Sequence, residues 1–455
     1  MKKEKLTMIE LFSGIGAQKR GIDNTALFDC EVLHTSDIDK EAIVSYAAIH
    51  HDLTPEMVEN YKDYPSREEM VKYLVERNIG FDFQKNKMFD WNKKINSKQK
   101  FIEKYWLAAK LANNLGDISK IDSLPYSDLV TYSFPCTDIS QSGRQAGLKK
   151  GSGTRSGLLW EVERLLNVAK ESNALPKYLL LENVKNLVQK QFIDDFKEWL
   201  SVLDKLGYNT YWEVINGKFC GVPQNRERVF AISVRKDIDK GTYSFPKPFD
   251  SGLRLQDVLQ KENEIEEKYY LSDYIQKQFH FTDDTLSKNI VGKTDSGGQK
   301  SWVYQQNCIM GALTATDYKQ PKQILTIEDN DLHQVGRLDI KGFDQLKRVY
   351  GSDGIAPTLP TCQGGSQHPK IYSEKKLVRK LTSTECFRLM GFEDADIIHC
   401  YDMGVADSSL YKQAGNSIIT NCIELLFEHL YKAQYNEGYI CTDETIENFQ
   451  KPQVN

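Results

Sequence analysis

The stretch "VTYSFPCTDISQSG", Val130–Gly143, carries an apolar β-like run into a proline, a cysteine and a polar loop. A lone cysteine is ordinarily an inert small hydrophobe. Cys136 is set differently, behind Pro135 at the end of a strand and facing a loop. A thiolate presented there is a candidate nucleophile, provided the chain brings a proton donor and a cation to it. Glu182 closes the apolar run "YLLLENV", and a carboxyl group at a strand's C-terminal end suits acid–base work better than a structural helix cap. Arg226 and Arg228 alternate in "QNRER", so both side chains share one strand face. A solvated strand face is the ordinary alternative for such a pair. Gln224 is a lesser candidate.

A second group of residues suits a bound ligand. "IELFSGIGAQKRG" sets Ser13, Gly14 and Gly16 directly after the first strand and before a helix. Glycines there let a ligand approach the backbone beneath helix N–H groups, although an ordinary tight turn has the same composition. The spacing is not the dinucleotide fingerprint, because Lys19 stands where the third glycine would be. Asp37, in "HTSDIDKEA", can bind both hydroxyls of a ribose. "GDIS" offers Asp117 at what would be the end of a third strand. Three strand ends would then converge on one adenosine-like ligand.

These residues need a scaffold of alternating strands and helices. "LTMIELF", "EVLHTSDI", "DLVTYSF" and "YLLLENV" read as strands, and "KEAIVSYAAIH", "SGLLWEVERLLNVAKE" and "FIDDFKEWLSVLDKLG" carry helical periodicity. The pattern predicts an α/β fold with a doubly wound, mostly parallel sheet and ligands outside the carboxyl ends of its strands. Residues 50–114 interrupt the rhythm and read as a helical, solvated insertion with no assigned chemistry. From 236 to 378 the texture turns to Gly, Gln, Thr and Asp, predicting a smaller β-containing domain. "YKQAGNSIITNCIELLFEHLYKAQY" is a turn followed by an amphipathic helix, and residues 436–455 read as a polar tail.

Composition narrows the function classes. The 455 residues hold 59 Lys and Arg against 64 Asp and Glu, so any nucleic-acid site must be a local patch on a chain of net charge -5. Nine cysteines without a C-x-x-C pair predict neither a disulfide framework nor a metal site. No membrane-length apolar run and no leader-like N-terminus are present, so a cytoplasmic, membrane-free protein is expected.

Taken in order, "LFSGIG", "SFPCTDIS", "LLLENV", "GVPQNRERVF", "RKLTSTECFRLMGF" and "QAGNSI" resemble the motif set of the DNA (cytosine-5) methyltransferases of bacterial and phage restriction-modification type. Ala17 replaces a frequent third glycine and Thr137 a frequent glutamine, and neither touches a group the chemistry requires. The resemblance implies an S-adenosylmethionine-dependent methyltransferase fold over residues 1–235. It also implies a target-recognition domain at 236–378 and a return segment, 379–435, that completes the first domain. It makes Cys136 the thiolate that adds to carbon 6 of a cytosine, and Glu182 the acid on the ring N3 and amine. Arg228 would contact the ring O2 and Arg226 would support the catalytic loop. Phe12, Ser13, Gly14, Gly16, Asp37, Ile38, Asp117, Ile118, Pro135, Asn416 and Ser417 would form the S-adenosyl-L-methionine pocket, the last two packing beside the glycine loop.

The substrate would be double-stranded DNA, with the target base turned out of the stack. Arg144, Lys149, Lys150 and Arg155, on the loop after Cys136, suit phosphates. Thr358 and Leu359 of "APTLP" resemble a recognition-domain element, and "SGGQ" and "TCQGGSQ" offer side chains for base edges. A monomer is expected, and a cognate restriction endonuclease is a candidate partner. Cytosine methylation in RNA, a non-catalytic nucleic-acid binder and an NAD-dependent dehydrogenase are the competing readings. The middle region, the presence of Cys136, Glu182 and Arg228, and the broken fingerprint argue against each in turn.

Overall fold

The computed structural model describes residues 3–82, 87–93, 100–135, 139, 148, 150, 156–253, 255–270, 273, 279–281, 290–293, 302–304, 323–324, 334–341, 344–352, 354–359, 368–372 and 378–439. Two compact units divide the chain. The first takes residues 1–253, 358–363 and 383–455, and the second takes 254–357 and 364–382.

Six strands make the central sheet of the first unit: β1 (Glu4–Leu11), β2 (Phe28–Ser36), β3 (Leu129–Tyr132), β4 (Tyr178–Val184), β5 (Tyr208–Asn216) and β6 (Glu227–Arg235). They lie in the order β2-β1-β3-β4-β6-β5. β1 is parallel to β2 and β3, and β3 is parallel to β4. β6 runs antiparallel to both β4 and β5. The topology has a direct consequence for chemistry. Parallel β1–β4 end on one edge of the sheet, and the start of antiparallel β6 comes back to that same edge.

Helices α1 (Ala17–Asn24) and α2 (Lys40–His50) follow the first two strands. Asp39 caps α2 by accepting from the amides of Glu41 and Ala42, worth about 1 kcal/mol of helix stability. Alternate residues of β1 point to opposite faces, both buried, as strands covered on each side require. Ile9 and Leu11 join a core with Leu159, Leu165, Phe196, Trp199 and Leu203. Those last five belong to α6 (Leu159–Glu171) and α7 (Ile193–Leu206). On the other face Tyr46 of α2 donates to Glu10 at 2.5 Å.

The return segment forms α8 (Ser383–Arg388), α9 (Asp394–Asp402), α10 (Asp407–Asn416) and α11 (Thr420–Tyr435). The ring of Phe427 meets Phe28 of β2 edge-on at 6.1 Å. Gly21 of α1 lies so close to α11 that an added Cβ would sit 2.5 Å from the Thr420 carbonyl. Residues 240–244 belong with this unit because Lys240 and Thr242 donate to the carbonyls of Gln434 and Ala433. The His429 ring likewise donates to the Ser244 carbonyl. The sequence reading began the middle region before them.

Residues 50–114 differ from the solvated insertion expected. They form α3 (Pro55–Asn60), α4 (Arg67–Glu76), an antiparallel pairing of Phe81–Asp82 with Lys87–Met88, and α5 (Phe101–Leu111). Leu74, Ile79, Trp91, Ile102 and Leu107 are buried, and α5 packs on α2. The apolar residues are scattered among lysines and glutamates, which hides a core built from several short elements. Asp117 likewise does not end a strand. A single parallel bridge joins Thr35 to Asn114, and Asp117 then caps the 3-10 turn Ile118–Lys120.

The second unit contains a sheet of Phe279–Phe281, Gln334–Leu338, Arg348–Tyr350, Lys370–Tyr372 and Val378–Lys380, in that order. Leu338 and Val349 form its buried centre.

Candidate active site

The loop after β1 is shaped by left-handed backbone: φ is +57° at Phe12, +53° at Gly14 and +77° at Gly16. At Gly16 no other residue fits, since a Cβ would lie 2.2 Å from His50 Nε2. That ring donates to the Ile15 carbonyl at 3.1 Å, and burial lowers its pKa to about 3, so it holds the loop as a neutral imidazole. Gly14 is open on its Cβ side. Its amide donates to Asp37 Oδ2 at 2.8 Å, and the Asp39 amide donates to Asp37 Oδ1 at 2.8 Å. Burial, reinforced by the neighbouring Asp39 carboxylate, raises the Asp37 pKa to about 6. Each Asp37 oxygen keeps capacity for a further donor. Ser13 is buried and its amide donates to the Ser36 carbonyl. Phe12 is half-buried against the core, Ile38 is half-buried and Ile118 is buried.

Further along the same edge, Asn183 of β4 donates its side-chain amide to the Phe134 carbonyl at 3.0 Å. Ser156 Oγ donates to the Pro135 carbonyl at 2.8 Å. Residues 134 and 135 are thereby held beside the end of β4, one residue from Glu182. Cys136 itself lies outside the described residues, as do Arg144, Lys149 and Arg155. Glu182 is buried, and its carboxylate meets Arg228 Nε at 3.3 Å. Burial raises the Glu182 pKa above the usual carboxylate range, opposed by the charges of Arg228 and Arg226. The site therefore holds a carboxyl biased toward its protonated form beside a permanent cation.

Arg226 is buried, and its Nη2 donates to the carbonyls of Gly415 at 3.0 Å and Ser417 at 2.8 Å. The sequence reading made Arg226 a support for the loop after Cys136; these bonds tie it to the return segment. Lys412 meets Asp39 at 2.6 Å and Gln413 accepts from Ser45 at 2.9 Å, so α10 reaches α2. Ser417 is buried and Asn416 is exposed.

The residues read as DNA contacts sit variously. Lys150 pairs with Glu163 and lies over the Trp160 ring. Thr358 is exposed and donates to the Asn225 carbonyl at 2.5 Å. Leu359 is buried, and its amide donates to Gln224 Oε1 at 3.1 Å, which makes it an anchor for this segment. Gln224 is fully buried and also donates to the Leu389 carbonyl at 2.8 Å. Sequence reasoning missed Asn183. A polar residue inside "LLLENV", next to Glu182, was the available signal.

The family profile described as C-5 cytosine-specific DNA methylase matches residues 69–432. The type II methyltransferase M2.ScrFI of Lactococcus lactis subsp. cremoris is 34% identical over 94% of this chain and 100% of its own length. The orphan methyltransferase M.SssI of Spiroplasma monobiae is 30% identical over 94% of this chain and 98% of its own length. Among solved structures, the S. pombe Dnmt2 methyltransferase superposes with a TM-score of 0.52 at 15% identity, covering 95% of this chain and 100% of that one, a likeness of fold.

Proposed function

The chain belongs to the C-5 cytosine-specific DNA methylase family and is a DNA cytosine-5-methyltransferase, and from that premise we propose that it works through a covalent adduct between Cys136 and carbon 6 of one cytosine in a specific duplex sequence. Carbon 5 of cytosine is a poor nucleophile within its ring. Addition of the Cys136 thiolate to carbon 6 breaks the carbon 5–carbon 6 double bond and sends an electron pair into the ring. Glu182 gives its proton to N3 as that pair arrives, and Arg228 offsets the charge at O2. Carbon 5, now part of an enamine, can be alkylated. Transfer of the carbon 5 proton to a solvent base then re-forms the double bond and expels the thiolate, and the N3 proton returns to Glu182.

S-adenosylmethionine, when bound, supplies the electrophilic methyl group on a sulfonium. The residues fit it. Gly14 is open to a ligand, Asp37 keeps acceptor capacity for ribose hydroxyls, and Asp117 Oδ2 has one described donor, leaving room for the adenine amine. Phe12 and Ile38 offer apolar surface, with Ile118 buried, and Ser13, Gly16, Pro135, Asn416 and Ser417 are assigned to the same pocket.

A stacked cytosine exposes neither ring face, so the base is flipped out for attack. Arg144, Lys149, Lys150 and Arg155 hold phosphates, and the second unit reads the duplex; the exposed Thr358 of the first unit stays a candidate contact, whereas Leu359 is buried and is not one. The enzyme acts as a monomer, and a cognate restriction endonuclease is a candidate partner. Among the described residues no helix is long and apolar enough to cross a membrane.

The observation that carries this reading is the pairing of buried Glu182 with half-buried Arg228, beside the chain segment that leads into Cys136. Duplex DNA bearing 5-fluorocytosine in the target site tests it, because fluorine cannot leave as a cation and the adduct persists. A denaturation-resistant complex is expected only with S-adenosylmethionine, mapped to Cys136 and absent in Cys136→Ser. A cross-link at another cysteine, or equal trapping on RNA, overturns the assignment.

A further inference from the structure

We infer that Asn78, in the 50–114 insertion, is a positioning residue for the cofactor: it orients the Asp117 carboxylate toward the adenine amine and so helps the enzyme select adenine. The inference rests on the adenosine pocket proposed above.

The turn after α4 is built to reach that pocket. Asn78 has φ +54°, a left-handed conformation that Asn tolerates better than most residues. Its amide closes on the Val75 carbonyl at 3.0 Å, and the Ile79 amide on Leu74 at 2.9 Å. Two backbone bonds then fasten the turn to the segment after β2 and to Asp117. Gly80 N donates to the Ile38 carbonyl at 2.8 Å, and Asp117 N donates to the Arg77 carbonyl at 2.9 Å. The approach is close enough that a Cβ on Gly116 would lie 2.1 Å from the Arg77 oxygen. Trp91 Nε1 donates to the Ile79 carbonyl at 3.3 Å, bracing the turn from behind.

At the centre of this contact Asn78 Nδ2 donates to Asp117 Oδ2 at 2.8 Å. Asp117 Oδ1 accepts from both the amide and the hydroxyl of Ser119, at 3.0 and 2.8 Å. With Oδ1 doubly engaged and Oδ2 singly engaged, the plane of the carboxylate is fixed and one Oδ2 acceptor site is left. An exocyclic amine, which donates, satisfies that site. The 6-oxo group of hypoxanthine, which only accepts, is repelled by it.

Calorimetry on the full chain with S-adenosylhomocysteine and its hypoxanthine counterpart tests the inference. Wild type should prefer the adenine ligand, and Asp117→Ala should lose the preference. Asn78→Gly keeps the left-handed backbone accessible and removes the amide. It should bind the adenine ligand about tenfold more weakly, the size of one lost hydrogen bond to a charge, and narrow the adenine-to-hypoxanthine ratio. Should Asn78→Gly fail to fold, Asn78→Asp keeps the shape but sets a second carboxyl against Asp117; the pair takes up a proton that can be offered to the 6-oxo group, so the adenine-to-hypoxanthine ratio should again narrow. An unchanged ratio in the Asn78 variant, with the ratio lost in Asp117→Ala, overturns the role of Asn78 and leaves the pocket standing. Failure of wild type to bind either ligand overturns the pocket itself.

Discussion

At the scale of single residues, the chemistry depends on carboxyl groups whose protonation is set by burial. Glu182→Gln should cut the rate of the methylation step severely while leaving DNA affinity nearly unchanged, because the amide cannot deliver a proton to N3. Single-turnover kinetics beside a binding titration checks this, and weaker binding with an intact chemical step would make Glu182 merely structural. Burial acts on Asp37 as well. Its pKa is raised to about 6, so folding of the ligand-free protein favours the protonated form. That part of the stability is complete below the unfolded value of 3.8 and is lost as pH rises through about 6. Cofactor binding should follow the reverse course, since an ionised carboxylate is the better acceptor for two hydroxyls. Affinity for S-adenosylhomocysteine should therefore rise between pH 5 and pH 7, windows set around that value of about 6, and the rise should vanish in Asp37→Asn. Isothermal titration across that range measures both.

At the scale of elements, the glycine loop gives a ranked pair of substitutions. Gly14→Ala meets open space and carries only the left-handed backbone cost, about 1–2 kcal/mol. Gly16→Ala carries that cost and also drives a methyl group into His50, so it should lower the melting temperature further and abolish cofactor binding. Equal effects in thermal melts would show that His50 yields freely. The elements that frame this loop were legible because each is one uninterrupted pattern. Lys40–His50 and Tyr178–Val184 have the limits read from "KEAIVSYAAIH" and "YLLLENV". Glu182 and Asp37 stood out as charged residues near the ends of strands, and Arg228 through its alternation with Arg226 in "QNRER". The insertion was not legible, because Leu74, Ile79 and Trp91 are buried on a helix, a turn and a segment after a short strand that share no common period. Asn78 was hidden for the same reason, and the carbonyls that receive Arg226 were hidden because a backbone acceptor leaves no trace in residue type.

At the scale of the whole molecule, the first unit is closed by its own C-terminal quarter. Ile423, Leu426 and Phe427 of α11 are buried, and Gly21 admits the helix at backbone distance. A chain truncated before Gln413 should therefore expose β1 and α1, leave Arg226 without its two carbonyl partners and bind S-adenosylhomocysteine poorly, as calorimetry would show. Supplying the missing segment as a peptide should restore part of the binding. The two carbonyls that receive Arg226 come 189 and 191 positions after it in the chain. During synthesis, at roughly 5–20 residues per second, the sheet that carries Glu182 leaves the ribosome many seconds before the segment that completes its surroundings. Such distant pairing is slow to form and comes late in folding. A chain made only as far as β6 thus carries Arg226 without the carbonyls that receive it, and those surroundings are completed only once residues 415–417 have been made.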